Sequence, residues 1–344
     1  MTMRGYTPKL LISGASALFY SRLIKATIKD EEGQKSDTLT IELDDRGNVI
    51  PVPKKGTKLK AQLGYAETGL ADKGTFEVHG TELKGTAGEG EIVVIQAKGT
   101  SLSAARKLKE SGSETFKEGS TLKDIAGKIA GRNGLTLRID GALGGTAYPD
   151  GEYRHQQSDL DFLSRLVERA NGILKISGDV LAIAERGSGK NAAGKELPVI
   201  HIDKADCIEW SYTPGDRPTY GKVSGSWIDQ KTGKKKLETR ETGLEGPLFG
   251  LREPYKTEAE AKKAVEAKAK ELSRKSGTAS FTVPGRIIGG AGSDLIATGF
   301  RSEISGEWRV KSAEDSVTGG PSGRWVTKYE CTAREGGKKG KKSG

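Results

Sequence analysis

Residues 189–196 contain a glycine, four residues and then Gly-Lys, a spacing close to that of a phosphate-binding loop. Such a loop needs a serine or threonine hydroxyl for Mg²⁺ and a following helix whose amides face the phosphate. Glu196 occupies the hydroxyl position instead, and its carboxylate would repel phosphate. Residues 197–202 form a strand pattern rather than a helix. We therefore interpret this segment as a flexible polar loop.

Histidines and cysteines are too scattered to form a recognisable reactive group. No second ligand type lies at metal-like spacing, no CxxC pair occurs, and no GxSxG nucleophile motif is present. The sequence predicts no catalytic, cofactor-binding or metal site, no cofactor and no enzyme activity, and we expect both cysteines to be small buried hydrophobes. The residues concerned are His79, His155, His201, Cys207 and Cys331.

Acidic pairs and a glycine cluster have ordinary turn interpretations. Asp44-Asp45 and Glu31-Glu32 lie at predicted strand ends beside glycine, where solvated carboxylates are common. The run 289–292 lacks the third glycine and the strand-turn-helix context of a dinucleotide site. A glycosidase pair stays open, because its two carboxylates can be distant in the chain.

Length and composition indicate several β-rich domains. A chain of 344 residues fits two or three domains, and 48 glycines with 34% hydrophobic residues are typical of short strands and many turns. No apolar run is long enough to span a membrane, and the first residues lack the pattern of a signal peptide. We expect assembly in the cytoplasm and no membrane anchoring.

The net charge of +10 raises the question of a nucleic-acid partner. Four lysines belong to residues 336–344, which have no apolar side chain and are expected to form a disordered basic tail. The remaining excess of positive charge is interspersed with acidic residues, as on an ordinary solvated surface. A basic nucleic-acid-binding protein stays as a third interpretation, although only 6% aromatic residues offer little for base stacking.

Hydrophobic periodicity predicts strands in residues 8–100, most clearly at 38–43, where Leu39, Ile41 and Leu43 alternate with polar residues. Such strands favour a small antiparallel barrel. The other predicted strands of this part are 21–29, 57–64 and 91–98.

The middle of the chain, residues 101–190, is predicted to be α+β. One helix starts at a capping box of Thr121 and Asp124 and stops at Gly134. A second starts at Ser158 and ends at Gly172, and residues 173–184 predict a β-hairpin.

The last third predicts strands in 197–230, a polar loop at Lys231–Arg240, and a helix capped by Thr257 that ends at Gly277. The helix has a narrow, mostly alanine stripe (Ala261, Ala264, Val265 and Leu272) and is expected on a surface. The helix is supported by ion pairs four residues apart: Glu258 with Lys262, Glu266 with Lys270, and Glu271 with Lys275. More strands are predicted at 280–283, 294–298, 307–313 and 325–332.

These elements predict a mainly β chain with two similar antiparallel barrel-like domains, an inserted α+β region and one surface helix. The expected domains are 1–100, a first barrel; 101–200, the α+β insert; 201–335, a second barrel with an inserted loop and helix at 231–277; and 336–344, the tail.

Residues 118–135 resemble the opening of a LysM peptidoglycan-binding module over about one helix. Any capped helix with a Leu-x-x-Ile-Ala face has the same pattern. The resemblance nevertheless supplies an alternative function, a peptidoglycan-binding or cell-wall-degrading tail component.

Over residues 8–335 the order of features resembles the phage late control gene D family of baseplate hub proteins, which is similar to the N-terminal part of the type VI secretion spike protein VgrG. The stretches Asp30–Asp45 and Gln157–Leu166 are specific in combination. The other matching stretches are Ser21–Ile24, Leu63–Tyr65, Thr121–Ala126 and Trp308–Val310.

The resemblance implies a homotrimeric ring in which two similar tube domains per chain adapt a six-fold tail tube to a three-fold spike. The implied location is the baseplate of a virion or of a tail-like particle (tailocin). The implied partners are the tail tube protein, a separate central spike protein, the baseplate wedge proteins and, as a further candidate, the tape measure protein. DNA would only pass through the lumen.

Overall fold

The computed structural model describes residues 6–33, 36–86, 90–99, 106–191, 195–215, 220–229, 232–255, 257–274, 277–320 and 323–333. Strands dominate these residues, and the fold is mainly β with an α+β insert. The expected basic tail at 336–344 lies outside the described residues.

The first β unit contains six strands and one short helix. Its core face alternates strictly along β3, where Leu39, Ile41 and Leu43 are fully buried, as the sequence predicted. The elements are β1 (Pro8–Ile12), α1 (Ala17–Ser21), β2 (Leu23–Glu31), β3 (Thr38–Asp44), β4 (Lys58–Tyr65), β5 (Gly69–Thr86) and β6 (Gly90–Lys98).

The insert follows, with its own hydrophobic core between two helices and a three-stranded sheet. Both predicted helix starts are confirmed: Thr121 and Asp124 form a complete capping box, and the Ser158 side chain accepts from the Asp161 amide. The predicted hairpin is also confirmed. The elements are β7 (Ser111–Phe116), β8 (Ser120–Thr121), α2 (Leu122–Arg132), β9 (Thr136–Ile139), α3 (Gly141–Gly144), β10 (Ala147–Tyr148), β11 (Glu152–Ser158), α4 (Asp159–Arg169), β12 (Gly172–Ser177) and β13 (Val180–Glu185).

The second β unit contains six strands, and a smaller sheet with a helix, the side sheet, interrupts it. The unit consists of β14 (Ile200–Asp203), β15 (Glu209–Pro214), β19 (Gly277–Pro284), β20 (Asp294–Thr298), β21 (Gly306–Thr318) and β22 (Trp325–Ala333), with a 3-10 turn at Lys204–Asp206. The side sheet consists of β16 (Lys222–Ile228), β17 (Lys235–Glu241) and β18 (Leu248–Gly250), with helix α5 (Glu258–Arg274).

Two expectations for this part of the chain are wrong: the polar loop at Lys231–Arg240, and the place of residues 222–228 in the second barrel, since β16 pairs with β17 and β18 in the separate side sheet. The polar stretch predicted as a loop is mostly strand β17, because its edge pairs with β16 while its side chains stay exposed. Helix α5 covers this sheet with buried Ala261, Val265 and Ala269. The Thr257 cap and two of the predicted ion pairs are confirmed. Glu271 contacts Lys268, and its predicted pair with Lys275 stays a prediction because Lys275 lies outside the described residues.

The two β units are not separate barrels in the described part of the chain. Strand β2 pairs with β21, so one twelve-stranded sheet runs through both units, and no closed barrel is found among the described residues. Each unit nevertheless has its own hydrophobic core.

Both units have the same strand order. The first runs β2-β3-β6-β5-β4-β1, and the second runs β15-β19-β22-β21-β20-β14. In both, counted along the chain, the order is second, third, sixth, fifth, fourth, first. One pairing differs in direction, because β1–β4 is antiparallel whereas β14–β20 is parallel.

The fifth strands of the two units also share a β-bulge at the same place. In β5 the register with β6 shifts between Val78 and Gly80, and in β21 the register with β22 shifts between Val310 and Ser312. The ladder to the fourth strand ends just before the bulge in both units, at Glu77 and at Arg309. His79 and Lys311 therefore occupy equivalent positions.

Candidate assembly interface

The residues that could do chemistry lie apart from each other. His79 lies on β5, His155 on β11 and His201 on β14. Among the described residues no group of three or more histidine, cysteine or acidic side chains could hold a metal ion. Cys331 is buried and Cys207 is half-buried; burial raises the pKa of both thiols, that of Cys207 to about 11. Both cysteines therefore pack as small hydrophobes.

The described residues of the two glycine-bearing motifs lie outside helices and between strands. Lys190 and Glu196 form an isolated β-bridge, and strand β14 rather than a helix follows. Residues 192–194 of the loop lie outside the described residues. The Ala291 amide of the second motif donates to the Asp30 carboxylate at 2.9 Å. This motif therefore contacts the end of β2 in the first unit.

A buried ionic cluster in the insert has the residue types of an acid-base site. Arg132 and Arg154 both donate to Asp159, which also accepts from Asn133 at 2.9 Å. Burial acts to raise the pKa of Glu114, but Lys128 and Arg132 lower it overall. All these groups are paired, which is typical of a cluster that orients α2 against α4 and β11.

The junction between the two β units joins strands that are distant in the chain, β2 and β21. Antiparallel pairing runs from Lys25 opposite Thr318 to Glu31 opposite Ser312. Lys311 adds an ion pair with Glu32 at 3.0 Å. Since backbone ladders fix relative position at every residue, the two units hold one orientation across this junction.

A buried carboxylate lies at the centre of the junction. Asp315 of β21 pairs with Lys73 of β5 at 2.7 Å and accepts from the Trp325 indole and the Thr327 hydroxyl. The Trp325 ring packs 4.9 Å from the Tyr65 ring, and its side chain belongs to the core of the first unit. Side chains of the second unit thus complete the core of the first.

The insert is anchored to this junction by one lysine. Lys175 of β12 lies 2.7 Å from Asp30 and 2.9 Å from Asp37. Burial raises the pKa of Asp37 to about 6, with a further contribution from the charge of Asp30, while Lys175 opposes the rise. The anchor therefore titrates in mildly acidic solution.

We expect the Asp37→Asn variant to lose one component of the pH dependence of stability. The folded-state pKa of Asp37 lies above its ordinary value, so the unfolded chain releases this proton first and stability falls as pH rises from about 4 to about 6. The decline should be about 2 kcal/mol in the wild type relative to the variant, as urea titrations at several pH values would measure. Asp72→Asn is the control: the Gly74 amide and Lys60 lower the pKa of Asp72, so its removal should leave this decline in place.

Sequence reasoning singled out none of Lys73, Lys175 and Asp315. Their partners lie far away in the chain, and a lone charge in a polar strand is indistinguishable from a solvated one. Asp30 and Asp37 were noted only inside the stretch that carries the family resemblance.

Comparisons with known proteins agree with this fold. The chain is 29% identical over 328 residues to the probable baseplate hub protein of Escherichia phage P2, covering 84% of this chain and 79% of that protein. The crystal structure of a 43 kDa tail protein from Shewanella oneidensis prophage MuSo2 superposes with a TM-score of 0.68 at 16% identity, covering 96% of this chain and all of that one. An Escherichia coli type VI secretion component superposes with a TM-score of 0.52 at 8% identity, covering 94% and 76%.

No helix in the described residues is long and apolar enough to cross a membrane. The family model of the phage tail baseplate hub (GPD) matches residues 95–320, well over half of the chain. This match spans the insert, the side sheet and five of the six strands of the second β unit, ending before β22. The chain therefore belongs to the phage tail baseplate hub (GPD) family.

Proposed function

We propose that three copies of this chain form the structural ring at the centre of a baseplate in a phage tail or tail-like particle. The ring adapts a six-fold tail tube to a three-fold spike and has no catalytic role. Its partners are the tube protein, a separate spike protein, baseplate wedge proteins and the tape measure protein. The E. coli structure that shares this fold is described as similar to the T4 tail proteins gp27 and gp5.

The observation that carries the proposal is the shared strand order of the two β units, with the bulge at His79 matching the bulge at Lys311. Two like units in one chain give six units in a trimer, so a three-fold ring can present a nearly six-fold surface. We assign these units to domains 1–100 and 201–335, with 101–200 as one insertion and the side sheet with α5, residues 222–274, as the other.

The number of strands that run side by side across the β2–β21 junction supports a ring wide enough to enclose a channel. Each unit places four strands side by side along the junction direction: β2, β3, β6 and β5 in the first, and β15, β19, β22 and β21 in the second. Six units give a closed sheet of about 24 strands, which is wider than porin barrels that already hold an aqueous channel. Such a lumen is wide enough for a DNA duplex.

The polar face of these strands supports an unobstructed lumen. The opposite face carries the cores, which β1, β4 and α1 help to cover in the first unit. Although the whole chain is +10, this face has six basic residues and eight carboxylates, so it lacks the basic patch that would retain DNA. The charged residues are Lys25, Lys29, Lys84, Lys98, Arg309 and Lys328 with Glu31, Glu42, Asp44, Glu77, Glu82, Glu209, Glu314 and Glu330.

Purified protein should be a trimer with three times the mass of the 36.6 kDa chain. Light scattering after size exclusion measures the mass, and negative-stain class averages should show a ring with a central hole and six similar lobes. A chain that stays monomeric at micromolar concentration contradicts the proposal, because large obligate interfaces persist on dilution.

The alternative, a peptidoglycan-binding tail component, has one supporting observation. An open cleft of about 680 Å³ lies beside the LysM-like segment, lined by Thr121, Lys123, Arg138 and neighbouring residues. However, the apolar face of α2 is fully used in the insert core. Cosedimentation with insoluble peptidoglycan separates the two functions, since a hub should stay in the supernatant.

A further inference from the structure

Four strand edges of the large sheet lack a partner among the described residues: the outer sides of β1, β14 and β15, and β5 beyond Glu77. The edges of β15 and β5 correspond to the two strands that pair at the β2–β21 junction. No strand pairs with the outer side of β15, and none continues along β5 beyond Glu77, where its ladder with β4 ends. Unpaired edges are templates for adding another strand. Exposed apolar side chains mark both: Trp210 on β15 is 40% exposed and Leu83 on β5 is 66% exposed.

The β2–β21 junction shows how such edges fit together. There the second strand of one unit pairs with the part of the other unit's fifth strand that follows the bulge. The free edges of β15 and β5 are the counterparts of these strands in the opposite units. Strand β15 is the second strand of the second unit, and residues 80–86 follow the bulge in β5, the fifth strand of the first unit. One junction is closed within the chain, and its counterpart is open.

We propose that β15 of one copy pairs antiparallel with residues 80–86 of β5 in a second copy of this chain, closing the ring proposed above. Matching positions in the two units give the register. His79 corresponds to Lys311, and the pairing of β3 with β2 and β6 corresponds to the pairing of β19 with β15 and β22. In this register Trp210 lies opposite Gly85, Tyr212 opposite Leu83, and Thr213 opposite Glu82.

The side chains fit this register on the core face of the sheet. Leu83 occupies the place that Asp315 has in the internal junction, and Tyr212 occupies the place of Ile28. An apolar pair therefore replaces a buried charge, and pairing would cover the exposed Leu83 side chain. Gly85 leaves space for the Trp210 indole, since a Cβ there would meet only the Glu91 side chain at 3.9 Å.

A second copy of the chain is the occupant that the observations favour. The internal junction already shows that these two element types pair, and each copy offers one edge of β15 and one of β5, so three copies leave neither of these two edges open. Another protein would have to supply a strand of the same length and side-chain pattern.

A cysteine cross-link tests the register. The double variant Leu83→Cys with Tyr212→Cys places thiols on directly opposed residues, at a Cα separation of about 5 Å that suits a disulfide. Under mild oxidation we expect covalent dimers and trimers on a non-reducing gel. The matched control, Leu83→Cys with Trp210→Cys, is two residues out of register and should cross-link at least about tenfold less, and the single variants account for Cys207.

The outcomes distinguish this interface from the hub function itself. A trimer by light scattering without the in-register cross-link, or with equal cross-linking of the control pair, overturns the interface and leaves the ring proposal standing. A monomer overturns both. As a second measurement, Leu83→Lys should weaken assembly at least about tenfold without lowering the melting temperature of the monomer, because Leu83 is exposed there.

Discussion

Replacing Lys73 by methionine should lower the free energy of unfolding by about 3–5 kcal/mol. The change leaves the Asp315 carboxylate, which is 4% exposed, without its positive partner at 2.7 Å, and a buried unpaired charge is costly. The hydrogen bonds from Trp325 and Thr327 remain but do not neutralise it. Urea denaturation followed by circular dichroism measures the loss.

Two further variants show whether burial is the cause. The Lys60–Asp72 ion pair has a similar distance of 3.0 Å but about half of each side chain is exposed, so Lys60→Met should change stability by less than about 1 kcal/mol. Adding Asp315→Leu to Lys73→Met should recover a large part of the loss, since leucine leaves no buried charge without a partner. An additive double variant would contradict the buried-pair explanation.

The Gly285→Ala variant should lose about 3 kcal/mol through overpacking at the same junction. A Cβ at Gly285 would lie 1.9 Å from the Trp325 ring. The ring cannot withdraw easily, because its indole donates to Asp315 and its face packs on Tyr65, whose hydroxyl donates to the Gly285 carbonyl. Overfilling a packed site commonly costs 1–3 kcal/mol.

The steric origin of this loss is testable by coupling. Trp325→Leu alone should also destabilise, but combined with Gly285→Ala the two losses should be clearly less than additive, because the smaller side chain removes the clash. Gly131→Ala is the control: no atom lies within 4 Å of its Cβ in α2, so it should stabilise by about 0.5–1 kcal/mol. Equal losses in both glycine variants would exclude the steric explanation.

Local elements were largely predictable from the residues around them. The caps at Thr121, Ser158 and Thr257 gave correct helix starts, since each cap bonds amides within three residues. Strand β3 was predictable because one of its faces is buried and the other is polar. The family resemblance was also visible in contiguous stretches, and the match of residues 95–320 confirms it.

Polar strands were the elements that the sequence patterns failed to predict. Strand β5, with 18 residues the longest element, was not predicted because its exposed half is rich in glycine, lysine and glutamate. Strand β17 was predicted as a loop for the same reason. Both segments are strands because a neighbouring strand supplies the hydrogen bonds. Side-chain periodicity gives no signal where neither face of a strand is buried.

The sequence by itself determined the capped helices, the half-buried strands, the absence of a recognisable catalytic motif and the membership of a hub family. Only the tertiary structure decided that β2 pairs with β21, that Lys73 neutralises Asp315, and that the two units share one strand order with open edges at β15 and β5. The physical reason is range: caps and alternation act over a few residues, whereas strand pairing and burial of charge depend on partners hundreds of residues away.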